Sequence, residues 1–271
     1  MITKGREVSP KPLDDSRTEG RLVAGERLLT VASLNVHWGL HPDGRPFDLV
    51  DACRSLTADV IALQEVWTPL GQPSPATRVA EQLGYQVLEA PLTRSADITR
   101  LRVVPDSQAK GSWGLALLTT LPVLTQTTID LGQAPGDTVR RAAQHTVLSL
   151  PDGRVLHTVN THLSHRPWAS PFQLQRLARH LRADAPHTVL LGDLNMVGPL
   201  ATALSGRRRA VFGATWPATR PVAQLDHVLI SRDLTARHGA VLTTVGSDHL
   251  PIRAQLQFKT NQQTHLKNHL R

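Results

Sequence analysis

The chain has 271 residues with 30 Lys and Arg against 22 Asp and Glu, a formal charge of +8, and it is 40% hydrophobic but only 4% aromatic. That hydrophobic content supports a sizeable core filled mainly by Val, Leu and Ala, and no apolar run is long enough to span a bilayer. The single cysteine, Cys53, excludes an internal disulfide and agrees with a reducing compartment, which makes the cytoplasm the expected location.

Residues 1–27 are polar and mixed in charge, lack the apolar stretch of a secretory signal, and read as a disordered lead-in. The run from Leu28 to Leu34 reads as a buried strand that ends at Asn35-Val36-His37-Trp38-Gly39. Phe47, Val50, Cys53 and Leu56 fall at helical spacing and predict a helix from Pro46 to Leu56. A second buried strand, Asp59 to Leu63, closes on Gln64-Glu65-Val66-Trp67. A loop from Pro69 to Pro75 and a short helix from Ala76 to Leu83 precede Gly84, and Tyr85 to Glu89 reads as a strand. Pro91 to Ser112 is polar and irregular, the length of a functional loop. Gly114 to Thr119 is an apolar strand, broken at Pro122.

Arg140 to Leu150 and Val155 to Asn160 read as a hairpin around Pro151-Asp152-Gly153, and its second strand runs into Asn160-Thr161-His162. A helix from Pro171 to Ala183 places Leu174, Leu177, Ala178 and Leu181 on one face. Thr188 to Leu191 is a buried strand that meets Gly192-Asp193-Leu194-Asn195, followed by an Arg-rich loop. Strands are expected at Leu225 to Ile230, Ala240 to Val245 and Ile252 to Phe258, with Gly246-Ser247-Asp248-His249-Leu250-Pro251 between the last two and a polar tail over 259–271. Neither an internal repeat nor a composition break divides the chain, so one domain over residues 28–258 is expected.

Residues two apart on an extended segment point the same way, so Asp193 and Asn195 project together where a strand meets solvent. The same pattern recurs at other strand ends, giving a set of Asn35, Glu65, Asn160, His162, Asp193, Asn195, Asp226, Asp248 and His249. All of them adjoin runs that need burial, and together they can converge on one rim of a sheet core. Carboxylates with amide oxygens suit a hard divalent cation such as Mg²⁺. Histidines beside such a cation manage protons or stabilise charge developing on a phosphate, an apparatus for phosphate-ester hydrolysis.

Six motifs carry a resemblance: Ser33-Leu34-Asn35-Val36-His37, Leu63-Gln64-Glu65, Asn160-Thr161-His162-Leu163, Gly192-Asp193-Leu194-Asn195, Leu225-Asp226-His227-Val228-Leu229 and Gly246-Ser247-Asp248-His249-Leu250-Pro251. In this order they resemble the endonuclease/exonuclease/phosphatase superfamily. The resemblance implies a four-layered α/β sandwich, two stacked mixed β-sheets flanked by helices, and metal-dependent attack of water on a phosphate ester. It implies Glu65 as the main Mg²⁺ ligand (Mn²⁺ being the alternative ion), with Asn35 and Asp248 beside it. It also implies His249 as general base or phosphate-stabilising cation, Asp226 as its orienting partner, Asp193 and Asn195 as positioners of nucleophile and phosphate, and His162 as a second imidazole on the phosphate. Asn160 is expected behind these residues, ordering strand ends.

Apurinic endonucleases of the superfamily carry Asp in place of His37 and Tyr near the place of His162, which argues against abasic-site repair. His162-Leu163-Ser164-His165 has a zinc-like spacing, but no nearby cysteine completes a ligand set. His227 alternates away from Asp226 and reads as a satisfied histidine. Arg140-Arg141 and Arg207-Arg208-Arg209 are either phosphate grips or solvated faces, and Trp38, Trp67, Trp113, Trp168 and Trp216 either line the site or fill the core. The basic charge leans towards nucleic acid as substrate. A phospholipid or inositol-phosphate esterase is the alternative, and a catalytically silent binding module on the same fold is a third reading.

Overall fold

The computed structural model describes residues 28–97, 109–182 and 185–259. The lead-in expected over 1–27, the middle of the expected 91–112 loop and nearly all of the 259–271 tail lie outside the described residues. In chain order the first half holds β1 (Leu29–Asn35), α1 (Leu49–Leu56), β2 (Val60–Pro69), α2 (Pro75–Leu83), β3 (Gln86–Asp97), β4 (Lys110–Thr119) and β5 (Val123–Gly132). The second half holds β6 (Arg141–Ser149), β7 (Val155–His162), α3 (Ala169–Leu181), β8 (Thr188–Asp193), α4 (Gly198–Ser205), β9 (Arg208–Arg209), β10 (Asp226–Ile230), β11 (Leu234–Val241) and β12 (Ile252–Phe258).

Two six-stranded sheets result, ordered β11-β12-β1-β2-β4-β3 and β5-β6-β7-β8-β10-β9. Each sheet is mixed, with one parallel pair, β1–β2 in the first and β7–β8 in the second. Parallel neighbours need a crossover, and α1 and α3 supply it. Alternation along the strands then builds the layers. Val189 and Leu191 face inward with Val31, Val60, Val228 and Ile230 to form the core between the sheets. Leu190 and Leu229 face outward onto Leu174, Leu177 and Leu181 of α3 and Ala201 of α4. On the other side Ile61 and Leu63 pack on Cys53 and Leu56 of α1 and Val79 of α2. The result is a four-layered α/β sandwich.

Polar groups also join the sheets. Asn160, fully buried on β7, donates to the carbonyls of Leu63 and Ala116 (both 3.0 Å) and to Gln144 Oε1 (3.3 Å), and its Oδ1 accepts from Gln64 Nε2 at 2.8 Å. Its partners lie on β2, β4 and β6, so one amide ties three strands from two sheets. Asn160→Ala strands several of these groups in a dry interior at about 1–3 kcal/mol each, and a loss of roughly 3–5 kcal/mol is expected. Urea unfolding measures it, and a loss below about 1 kcal/mol would contradict this role.

The structure corrects several expectations. The first helix begins at Leu49, not Pro46, because Asp48 caps it, accepting from the amides of Val50 (2.8 Å) and Asp51 (3.1 Å). The 91–112 segment is extended at both ends, with β3 reaching Asp97 and β4 starting at Lys110. β5 was not foreseen, since its Leu124-Thr125-Gln126-Thr127-Thr128 stretch is an exposed edge without apolar alternation. The strand expected at 240–245 lies at Leu234–Val241 instead, with a bulge between Ala236 and His238. The Arg-rich loop contains α4 and β9. No helix among the described residues is long and apolar enough to cross a membrane.

Candidate active site

Topology brings the polar strand ends together. In the parallel pairs β1–β2 and β7–β8 the C-terminal ends lie side by side, and His162 pairs in register with Asp193. β10 runs antiparallel to β8, so its first residue, Asp226, pairs with Asp193 as well. Across the gap between sheets, Asn35 Nδ2 donates to Glu65 Oε1 (3.0 Å) and to Asp193 Oδ2 (3.3 Å), joining the two halves.

Glu65 is aimed by a bulge. Leu63 pairs with Ala116 and Val66 with Gly114, so Gln64 and Glu65 together oppose Leu115 alone. Glu65 takes φ 57°, a left-handed conformation costing about 1 kcal/mol for a residue with a side chain, and this turns its carboxylate into the site. Burial raises its proton affinity, the Asn35 hydrogen bond opposes this, and Asp248 raises it further. Oε2 is buried with no hydrogen-bond partner.

Asp193 and Asn195 owe their placement to Gly192. A Cβ there would lie 1.9 Å from the Thr161 carbonyl, and φ is 134°, so only glycine lets β8 lie against β7 at this point. Asp193 Oδ1 accepts from the Asn195 amide at 2.8 Å, an Asx turn that sets Asn195 at φ 49°. Asn195 Nδ2 donates to Leu163 O (3.1 Å) and to His162 Nε2 (3.2 Å). That bond makes Nε2 an acceptor and leaves the proton of a neutral ring on Nδ1, which is buried, unpartnered and 3.8 Å from Glu65 Oε1. Burial, with Arg141 next, holds the His162 pKa well below that of ordinary imidazole, in keeping with the neutral ring.

His249 Nδ1 donates to Asp226 Oδ2 at 2.8 Å, and its Nε2 lies 3.7 Å from Asp193 Oδ2. Burial disfavours the imidazolium, but Asp226, Asp193 and Asp248 outweigh it and push the pKa up to about 10. Asp193 is also shifted up, from the ordinary carboxylate range to about 7, chiefly because it is buried. At neutral pH the site therefore holds a charged His249 beside a carboxyl group whose proton affinity burial has raised. Asp248 sits at the mouth, accepting from Trp216 Nε1 (3.4 Å), with His37 Nδ1 4.0 Å away.

Two positions suit a cation. Asp193, Asp226 and His249 offer ligand atoms within 4.8 Å of one another. His249 is already engaged by Asp226 on one nitrogen, however, and faces Asp193 with the other. Glu65 Oε2, an unpaired carboxylate oxygen in a buried place, fits a hard cation better. No His-rich zinc group occurs among the described residues: His165 is exposed, with Nδ1 3.7 Å from Asp137.

The structure places the remaining candidates and adds others. Asn160 is behind the site in the inter-sheet network, and His227 is buried with Nε2 at 2.9 Å from Met196 O. Trp67 is buried on β2, whereas Trp168 is 52% exposed. Sequence reasoning missed Thr215, whose buried Oγ1 accepts from the amides of Leu225 (3.1 Å) and Asp226 (3.2 Å) and fixes the start of β10. It also missed Ser247, which donates to Asn35 O at 2.6 Å and ties the last motif to β1. Ser247 lay inside a recognised motif and was open to notice; Thr215 carried no local signal.

Several solved structures share the fold. An endonuclease/exonuclease/phosphatase from Beutenbergia cavernae DSM 12333 superposes with TM-score 0.68 and 21% identity, over 86% of this chain and 72% of that one. The human Nocturnin catalytic domain with bound sulfate anion gives 0.63 at 20% identity, over 86% and 95%. D. rerio TDP2 complexed with single strand DNA product gives 0.58 at 17%, over 85% and 99%. No curated protein sequence matches the chain. The family model for the Endonuclease/Exonuclease/phosphatase family does match, over residues 32–249, and the chain belongs to that family.

Proposed function

We propose that this protein is a divalent-metal-dependent hydrolase of phosphate esters, acting as a phosphodiesterase of the nuclease type through attack of water on phosphorus. The observation that carries the reading is the buried row of Asp226, His249 and Asp193, joined at 2.8 Å and 3.7 Å, beside a buried Glu65 oxygen with no hydrogen-bond partner. Glu65, with Asp248 beside it, would hold the cation, Mg²⁺ or Mn²⁺, and Asn35 would steady the Glu65 carboxylate through Nδ2–H. When bound, such an ion polarises a phosphoryl oxygen and neutralises charge in the transition state.

The chain's own residues divide the remaining work. Asp193, with a pKa near neutrality, accepts the proton of the attacking water, and Asn195 holds water and phosphate in line. His249 acts as an imidazolium on the phosphoryl oxygens, held upright by Asp226. His162 offers its buried Nδ1–H from beside Glu65. The charge of +8 and the fold shared with D. rerio TDP2, solved with a single strand DNA product, support a nucleic acid substrate. A phospholipid substrate is the second reading, favoured by Trp168 (52% exposed) and Phe172 (68%) flanking Ser170, whose Oγ is 3.5 Å from Asn195 O.

Hydrolysis of bis-p-nitrophenyl phosphate, p-nitrophenyl phosphate, single-stranded and plasmid DNA, RNA and sphingomyelin, with Mg²⁺ and with EDTA, tests the reading. Metal-dependent turnover is expected, with single-stranded DNA or RNA preferred. Its rate should climb as pH rises through about 7, where Asp193 ionises. Asp193→Asn should lower the rate about 10²–10⁴-fold and abolish that limb. Turnover of nothing in the panel, or equal turnover in EDTA, would overturn it.

A further inference from the structure

The arginines that looked alike in sequence separate in the fold. Arg140 is exposed and bidentate to Asp130 at 2.6 Å. Arg207 is buried away from the site, donating to the carbonyls of Ser205 (3.2 Å) and Arg182 (3.4 Å) at the ends of α4 and α3. Arg209 lies over the Phe212 ring. Arg141 alone of these stands beside the site, at the head of β6.

Arg141 is 5% exposed, yet its one hydrogen bond is long, from a terminal nitrogen to His162 O at 3.5 Å. Its Nε is buried without a hydrogen-bond partner. The nearest carboxylate oxygen, Asp137 Oδ2, is 3.9 Å away and likewise unpartnered, although Asp137 is held in place by Ser164 Oγ at 3.0 Å. Trp113 lies 5.3 Å from the guanidinium carbon and 5.5 Å from the His162 ring, walling both. A guanidinium has five N–H donors, and here the buried Nε–H has no hydrogen bond while Nη1 has a single long one, a costly arrangement for a buried cation. A phosphate oxygen entering beside His162 matches this donor fork in charge and geometry.

We propose that Arg141 is a phosphate-binding residue: its guanidinium donates to non-bridging oxygens of the substrate's phosphoryl group, Asp137 positions it, and Trp113 keeps it flat. This rests on the phosphoesterase reading. Asp137 tethers the guanidinium without saturating it, so the donors stay free for substrate.

The test uses the full chain and inorganic phosphate, measured by calorimetry, beside steady-state hydrolysis of bis-p-nitrophenyl phosphate. Arg141→Gln is expected to weaken phosphate binding at least 10-fold and to lower kcat/KM about 10²-fold, with much of the loss in KM. Arg141→Lys should recover part of both, because charge survives but the fork does not. Asp137→Asn should fall between wild type and Arg141→Gln and respond to added phosphate in the same order. If Arg141→Gln fails to fold, Arg141→Lys decides, with a 3- to 10-fold weakening expected on the same grounds. Unchanged phosphate affinity and unchanged KM and kcat in Arg141→Lys and Arg141→Gln, with an active wild type, overturn the assignment. A wild type that binds phosphate through Arg141 but hydrolyses no ester would instead overturn the enzymatic reading and leave the anion site standing.

Discussion

His249→Ala is expected to lower kcat/KM about 10³–10⁴-fold on any substrate the enzyme accepts. The ring is a cation 3.7 Å from Asp193, and Asp226 spends an oxygen holding it at 2.8 Å. Its loss removes charge stabilisation in the transition state and leaves two buried carboxylates without a counter-ion, which costs roughly 3–5 kcal/mol of stability. Rates must therefore be compared well below the variant's unfolding temperature. Asp226→Asn separates the two effects, since the ring remains while the group that most raises its proton affinity goes. A raised pKa means the imidazolium persists up to about 10 in the wild type, so the alkaline limb of the pH–rate profile lies there. In Asp226→Asn the imidazolium is lost sooner, and the limb moves to lower pH. A profile that stays put in Asp226→Asn, or a His249→Ala enzyme within 10-fold of wild type, would show that His249 does not serve as the charged group.

The strand ends were legible because their apolar runs have a clear period and their motifs are local. Thr188 to Asn195 shows both: Val189, Leu190 and Leu191 demand burial on two faces, and Gly192 permits the approach to Thr161 that presents Asp193. Edge elements were less legible. β5 and the middle of β11 are exposed, and an edge strand with little to bury leaves no alternation in sequence. What the sequence could not distinguish was convergence across long separations. Asn35 meets Asp193 across 158 positions, a contact set by sheet stacking and not by local pattern. Arg140 and Arg141 are neighbours of one type, but successive residues at a strand start face opposite ways, and one reaches solvent while the other reaches His162. The Glu65 bulge is likewise a product of register against β4, invisible until the partner strand is in place.

Glu65→Gln is expected to do two opposite things: abolish turnover, by about 10³-fold or more, and raise stability in EDTA by about 1–2 kcal/mol. The carboxylate is buried, its Oε2 has no donor, and Asp248 adds repulsion, so without a cation the ionised form is a strained occupant of the site. A neutral amide of the same shape keeps a carbonyl oxygen for Asn35 and removes the charge. The sign with pH follows from the raised pKa. The wild type holds Glu65 comfortably below the unfolded carboxyl pKa and loses that stability as pH rises through the folded value, so the variant's advantage should open with increasing pH. Added Mg²⁺ reverses the ranking. A cation that binds only the folded wild type stabilises it in proportion to the logarithm of its concentration, whereas Glu65→Gln should show little or no shift. Thermal unfolding of both proteins in EDTA and in millimolar Mg²⁺ measures this without reference to activity. If Glu65→Gln is less stable than wild type in EDTA and still gains the full Mg²⁺ shift, the cation belongs to Asp193, Asp226 and His249, and Glu65 is held in its bulge for another reason. If the ranking inverts with Mg²⁺ as expected, the strain at φ 57° and the unpaired oxygen are two parts of one arrangement, in which the fold gives up stability to keep a charge waiting for its ion.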